Sequence, residues 1–267
     1  MEKTVYVKKI DFIKHNLGLY NFDTFIKDWG SEPKRGIVEK RCRIVKKKNE
    51  KVLEITLPKG TTSNGGSFWR LYLPKELTDV TFEYDFMFGK NFNFVRGGKL
   101  PGLGGGIVLG CGGTPEEYQN GFSARLMWRV AISYEELLHL VKDQKLANKK
   151  DIHRPYLVQY MYYPDRKTHF GHDQVYKYKN KKIFLKPNKW YDIKMRIKLA
   201  KDPKKKDDIL AWVNGKKVLN RKLNLRKKKS YGISEVMFSL FFGGNDKTWA
   251  TKKKEKVYFR KFMVKGK

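Results

Sequence analysis

The sequence predicts an all-β chain folded as a sandwich or jelly roll, and three observations carry that expectation. The dominant hydrophobic period is two, the period of half-buried strands. Turn dipeptides Asn64-Gly65, Asn120-Gly121 and Asn214-Gly215 punctuate the strand candidates. Helical periodicity is confined to two short stretches.

Taken in order along the chain, Phe22–Trp29 closed by Gly30 reads as a short helix. Strand candidates follow at Val52–Leu57, Ser67–Leu73 and Val80–Phe88, the last placing Phe82, Tyr84, Phe86 and Phe88 on one side. The glycine-dense run Arg96-Gly97-Gly98-Lys99-Leu100-Pro101-Gly102-Leu103-Gly104-Gly105-Gly106 reads as a loop at a sandwich edge with Lys99 exposed. Its spacing fits neither GxGxxG nor GxxxxGK[ST], and no helix pattern follows, so a nucleotide site is not expected. In Phe122–Trp128, alternation sends Phe122, Ala124, Leu126 and Trp128 to the core, leaving Ser123, Arg125, Met127 and Arg129 on the opposite face. Ser133-Tyr134-Glu135-Glu136 is a capping-box pattern ahead of Leu137, Leu138, Val141 and Leu146, so residues 131–156 read as a helical insertion between two strands. Leu157–Tyr163 then resumes the strand pattern. In Trp190–Leu199, Tyr191, Ile193, Met195, Ile197 and Leu199 alternate with Asp192, Lys194, Arg196 and Lys198. Ile209–Val213, Ile233–Phe242 and Val257–Val264 complete the set.

Charge is the outlier in composition. Lys and Arg number 59 against 27 Asp and Glu, a net charge of +32. Such an excess attracts polyanions, whether nucleic acid, anionic membrane or acidic polysaccharide. Hydrophobic residues make up 40% of the chain, enough for a sizeable core, so a disordered basic tail is excluded. Lysine runs at 46–48, 204–206, 227–229 and 252–254 lie beside turns, where solvated charge is the ordinary explanation. Cys42 and Cys111 lack metal-ligand spacing and are expected as free thiols. No carboxylate cluster suggests a metal, and no cofactor is expected. The segment Met1–Lys9 has no apolar run suited to a signal peptide, and no stretch of about 18 apolar residues suggests a membrane span. The localisation stays open: the expectation is a protein that is intracellular, or released or packaged in a virion by a route the sequence does not show, or a sequence trimmed at its start.

Candidate chemistry gathers in three segments. A guanidinium at mid-strand with a hydroxyl two residues away, as in Arg125 and Ser123, suits a carboxylate-binding surface. Tyr160 and Tyr162 share one strand face, and a phenol becomes a usable base where nearby cations such as Lys99 and Arg125 favour the phenolate. Core packing is the ordinary role of such a pair.

These segments together resemble polysaccharide lyase family 14. The resemblance rests on Gly97-Gly98-Lys99-Leu100-Pro101-Gly102-Leu103, on Gly121–Arg129, on the Tyr-x-Tyr before Pro164, and on Phe241–Trp249, all in the family's order. It extends from about Val52 to the C-terminus and includes Trp190 and the Ala211–Gly215 hairpin. Residues 1–40 fall outside it and read as an N-terminal extension packed on a single domain spanning 41–267. The family implies a jelly roll of two antiparallel sheets, with a concave cleft for an acidic, uronate-containing polysaccharide cut by β-elimination. Carried over by position, Lys99, Arg125, Tyr160 and Tyr162 are implied as catalytic. Arg125 would neutralise the uronate carboxylate, helped by Ser123 and Gln159. Tyr160 or Tyr162 would act as base and acid, and Lys99 would tune a tyrosine or serve as the base itself. Arg129, Arg96 and Tyr163 are candidate substrate contacts, with His169 and His172 in reserve. Tyr163 stands where the family often has His, and the 131–156 insertion separates the arginine and tyrosine strands more than the family pattern does.

The expected partner is thus an acidic polysaccharide acted on by a monomer, without membrane or nucleic acid. Two rivals share the charge: a nucleic-acid-binding β-protein, for which no RNP, helix-turn-helix or zinc-finger signature is present, and a glycan-binding sandwich without turnover.

Overall fold

The computed structural model of the chain describes residues 6–108, 117, 119–141, 147–227, 231–244 and 246–267. The larger of two antiparallel sheets runs β15 (Lys216–Leu223), β14 (Asp207–Val213), β13 (Trp190–Lys198), β6 (Asp79–Phe88), β17 (Glu255–Gly266), β4 (Glu50–Leu57), β3 (Cys42–Lys47) and β2 (Gly18–Leu19), with β1 (Tyr6–Ile10) also on β17. The smaller runs β10 (His172–Val175), β9 (Tyr156–Tyr162), β8 (Gly121–Arg129), β7 (Gly97–Gly106), β16 (Ile233–Phe242) and β5 (Ser67–Leu77). A short hairpin joins β11 (Lys177–Tyr178) to β12 (Lys181–Lys182). The molecule is a β-sandwich with few helices, as the period-two pattern requires.

Alternation explains which faces meet. Tyr191, Ile193, Met195 and Ile197 on β13 and Phe82, Tyr84, Phe86 and Phe88 on β6 are all buried in one core. From the other sheet, Trp69 of β5 and Phe238 of β16 stack at 3.8 Å between centroids inside the same core. A bulge between Arg260 and Met263, with Lys261 in the left-handed region, sets Phe259 and Phe262 on one face although they lie three positions apart. The hairpin at Asn214-Gly215, both at positive φ, closes β14 onto β15 in two residues. The Asn64-Gly65 and Asn120-Gly121 pairs instead belong to longer connections.

Both helices form where their end signals lie. In α1 (Phe22–Trp29) the Asn21 side chain accepts from the Thr24 N–H, and Gly30 takes the left-handed cap. Its Phe25 and Trp29 enter the main core. In α2 (Tyr134–Val141) the Glu136 N–H donates to Ser133 Oγ, while the Glu136 carboxylate accepts from Ile132 N–H rather than closing back on Ser133. Leu146 and Cys111 lie outside the described residues. Residues 6–40 are woven into the fold: β1 adds to β17, β2 to β3, and α1 covers part of the core. Cys42 is a free, buried thiol pushed up to about 12 by that burial.

The glycine-dense run departs from expectation. Residues 97–106 form β7, an interior strand between β8 and β16, and Lys99 is buried. A Cβ on Gly98 would fall 2.2 Å from the Trp128 ring, and one on Gly102 would fall 2.1 Å from the Ala124 carbonyl oxygen. The glycines answer a close approach of neighbouring strands rather than a need for turns.

Candidate active site

The site begins with an irregularity in β7. Pro101 has no N–H for the ladder, and register slips between Lys99 and Gly102 against β8. The slip lets Leu100 and Leu103 both face the core while Lys99 turns to the other side of the sheet. On that side the strand register lines up three rows. One holds Phe241, Lys99, Met127 and Val158; the next holds Met237, Gly102, Arg125, Tyr160 and Asp173; the third holds Glu235, Gly104, Ser123 and Tyr162. Lys99, Ser123, Arg125, Arg129, Tyr160 and Tyr162 therefore share one face, delivered by three adjacent strands.

Above this floor lies a cleft of about 660 Å³, lined among others by Lys99, Met127, Arg129, Tyr160 and Tyr162. Lys99 Nζ donates to Met127 Sδ at 2.9 Å and lies 3.4 Å from the centre of the Tyr160 ring. The Arg129 guanidinium approaches the same ring at 5.3 Å and forms a bidentate pair with Asp173, at 2.7 and 3.1 Å. The Tyr160 and Tyr162 hydroxyls are 3.2 Å apart, and the Gly171 N–H donates to Tyr160 Oη at 3.0 Å. Burial, and next the Tyr162 phenol, hold Tyr160 above the ordinary tyrosine range, with Arg129 opposing. At neutral pH Tyr160 is a proton donor. Arg166, 2% exposed, lies 4.5 Å from the Tyr162 ring centre and donates to the Thr168 and His169 carbonyls, shaping the loop that carries His169.

Arg125 occupies the shared face but not the cleft. It is fully buried beneath the floor, and none of its three guanidinium nitrogens has a hydrogen-bond partner among the described residues. Ser123 Oγ is likewise buried, with no hydrogen-bond partner among the described residues. Glycine at 104 leaves room for the Glu235 side chain beside this pair, its carboxylate bonded to Arg70 at 3.1 Å.

Other expected site residues are distributed unevenly. Arg96 lies at the rim, paired with Glu136 at 2.7 Å and 5.3 Å from the Trp249 ring centre. His169 and His172 both line the cleft, and Tyr163 reaches it only through its hydroxyl, 2.8 Å from His172 Nδ1, because its ring packs in the main core. Gln159 does not face the site. Alternation puts it with Leu157 and Met161 on the core side, where it accepts from Tyr176 at 2.5 Å. Sequence reasoning passed over Met127, Asp173, Trp249, Arg166 and His139 as site residues. Met127 was legible by alternation, whereas Arg166 and His139 gave no signal, since only tertiary structure brings the 163–171 loop and α2 to the cleft.

A family model described as Polysaccharide lyase 14 matches residues 45–262. No curated protein matches the sequence. Among solved structures, the fold is similar to alginate lyase Aly36B, with 21% identity, a TM-score of 0.79, and coverage of 98% of this chain and 96% of that one. An Aly36B variant with a lysine and a methionine replaced by alanine, in complex with alginate trisaccharide, gives 19%, 0.79, 98% and 98%. The marine PL-14 alginate lyase from Aplysia kurodai gives 21%, 0.71, 99% and 100%. Alginate lyase vAL-1 from Chlorella virus gives 20%, 0.61, 85% and 89%.

Proposed function

We propose that this chain, which belongs to the polysaccharide lyase 14 family and is a polysaccharide lyase, cleaves a uronate-containing acidic polysaccharide by β-elimination at the Lys99–Tyr160 pair. The observation that carries the reading is the amine of Lys99 set 3.4 Å from the Tyr160 ring on the floor of an open cleft. The substituted lysine and methionine of the Aly36B variant are separated by 28 positions, as Lys99 and Met127 are here, which supports the same placement.

The chemistry then divides among residues already in position. A uronate bound over the floor has its carboxylate near two guanidiniums, with Arg129 lining the cleft and Arg125 adding its charge from beneath, while His172 lines the cleft beside them. That field stabilises the carbanion-like state as the C5 proton leaves. Lys99, which must be neutral for this step, takes this proton; the C5 electron pair becomes the C4=C5 double bond; the C4–O4 bond breaks; and Tyr160 donates its phenolic proton to O4. The resulting ammonium and phenolate return to their starting states by proton exchange with water. Tyr162 positions Tyr160 through the hydroxyl contact.

Base and acid rise from one floor, so they meet the sugar from one side. That geometry suits a syn elimination, in which H5 and O4 lie on the same ring face. β-D-Glucuronate and β-D-mannuronate have this arrangement, whereas α-L-guluronate does not. The test is ultraviolet absorbance of the unsaturated end during incubation with polyglucuronate, polymannuronate, polyguluronate and, as a polyanion control, DNA. Cleavage of either of the first two polymers, lost on Lys99→Ala, is expected. Cleavage of polyguluronate alone, or full activity in Lys99→Ala, would overturn the assignment.

A further inference from the structure

The lysine run at 46–48 has no part in the cleft, yet two of its members line a second concavity on the opposite side of the molecule. Trp190, Met87 and Tyr258 form one register row across β13, β6 and β17, alternating with the core residues Tyr191, Phe86 and Phe259, so they face outward from the large sheet. With Val52, Val45 and Trp190 they make a small apolar cluster separate from the main core. Above it is a groove of about 490 Å³ bordered by Lys47, Lys48, Asn49, Glu50, Asn188, Trp190 and Arg260, the one carboxylate among them being taken up by Arg260, a size within the range of small-ligand sites.

The composition of this groove is that of a carbohydrate platform with a preference for acid groups. The indole of Trp190, with Arg260 at 4.2 Å from its centre, offers a flat apolar surface to the C–H face of a pyranose. The amides of Asn49 and Asn188 suit sugar hydroxyls. Arg260 is already engaged by Asp85 at 2.7 Å and by Glu50. Lys47 rests 4.0 Å from the Tyr258 ring centre, and neither it nor Lys48 has a carboxylate partner among the described residues. Two non-glycine residues lining the groove, Lys48 in the two-residue turn between β3 and β4 and Asn188, adopt left-handed backbone conformations, at φ of 52° and 57°.

We propose that this groove is a second binding site for acidic oligosaccharide, holding a uronate segment against Trp190 with its carboxylates on Lys47 and Lys48. The inference rests on the acidic-glycan reading of the cleft, and it adds a site that retains the polymer on the far face of the sandwich.

Two tryptophans report the two sites separately, Trp249 in the cleft and Trp190 in the groove. Indole N–H resonances of the full chain would be followed while glucuronate or mannuronate tetrasaccharide is added, with a single-stranded oligonucleotide as a parallel probe. A saturable shift of the Trp190 resonance with a tetrasaccharide is expected, abolished in Lys47→Ala/Lys48→Ala, which removes a half-buried and an exposed side chain, neither of them part of the main core. That variant should raise KM on the polymer roughly three- to tenfold with kcat unchanged, the scale of one or two surface charge contacts. If only Trp249 shifts, the groove site is overturned and the cleft reading stands. If only Trp190 shifts, the groove stands and the cleft reading fails. A Trp190 response to the oligonucleotide and to neither sugar overturns the proposal.

Discussion

Arg125 illustrates how a residue can lie on the expected face and yet act differently from its expected role. An arginine at mid-strand suggests a bidentate grip on a carboxylate, but here the guanidinium is buried beneath the floor without a hydrogen-bond partner among the described residues. A charge held in this way opposes folding. Arg125→Met is therefore expected to raise thermal stability, by about 1–4 kcal/mol on the scale of buried charges replaced by apolar groups, while turnover collapses. A stability loss accompanied by retained activity would contradict that view. Glu235, beside Gly104, is pushed up to about 7 by burial, against the pull of Arg70. Between its ordinary 4.5 and about 7 the folded chain binds more protons than the unfolded chain, so stability should fall as pH rises through that window. In Glu235→Gln this portion of the slope should vanish from melting curves recorded across the same range. Tyr160 carries the sharpest residue-level expectation: Tyr160→Phe should lower kcat by about two to four orders of magnitude, the usual span for a lost general acid, without loss of fold.

At the scale of elements, β7 decides the geometry of the site. Gly102→Ala would force a Cβ against the Ala124 carbonyl oxygen and the Arg125 Cα, both backbone atoms that cannot step aside. It should cost about 3 kcal/mol, the upper end of overpacking penalties, with a correspondingly lower Tm; an unchanged melt would show that β8 can yield. The same strand marks the limit of what local pattern reveals. Strands such as β13 and β6 were legible because one wet face alternates with one buried face. β7 was not, because both its faces are covered and its glycines and proline mimic a loop. Its role depends on how closely β8 and β16 approach, a tertiary fact absent from its own residues. Gln159 shows the converse: it lies between Tyr160 and Val158 on a strand whose alternation turns it to the core side, so its expected site role ran against the strand's own period. The helix ends at Asn21, Gly30 and Ser133 were legible because capping is local chemistry.

For the molecule as a whole, 59 basic residues against 27 acidic ones make association with a polyanion strongly dependent on ionic strength. Raising salt from low to physiological levels should increase KM on the polymer while leaving kcat nearly constant, since screening weakens encounter and retention more than it disturbs buried catalytic contacts. The sandwich supports this division of labour: one sheet presents the amine and phenol, the other carries the groove beside Trp190. The central claim is that Lys99 and Tyr160 together turn a uronate into an unsaturated chain end. The most direct measurement is proton magnetic resonance of the products formed from polyglucuronate and polymannuronate by the unsubstituted chain and by Tyr160→Phe. A vinyl H4 signal that grows with the first protein and is absent with the second is expected; saturated product ends, or an equal vinyl signal from both proteins, would contradict the account.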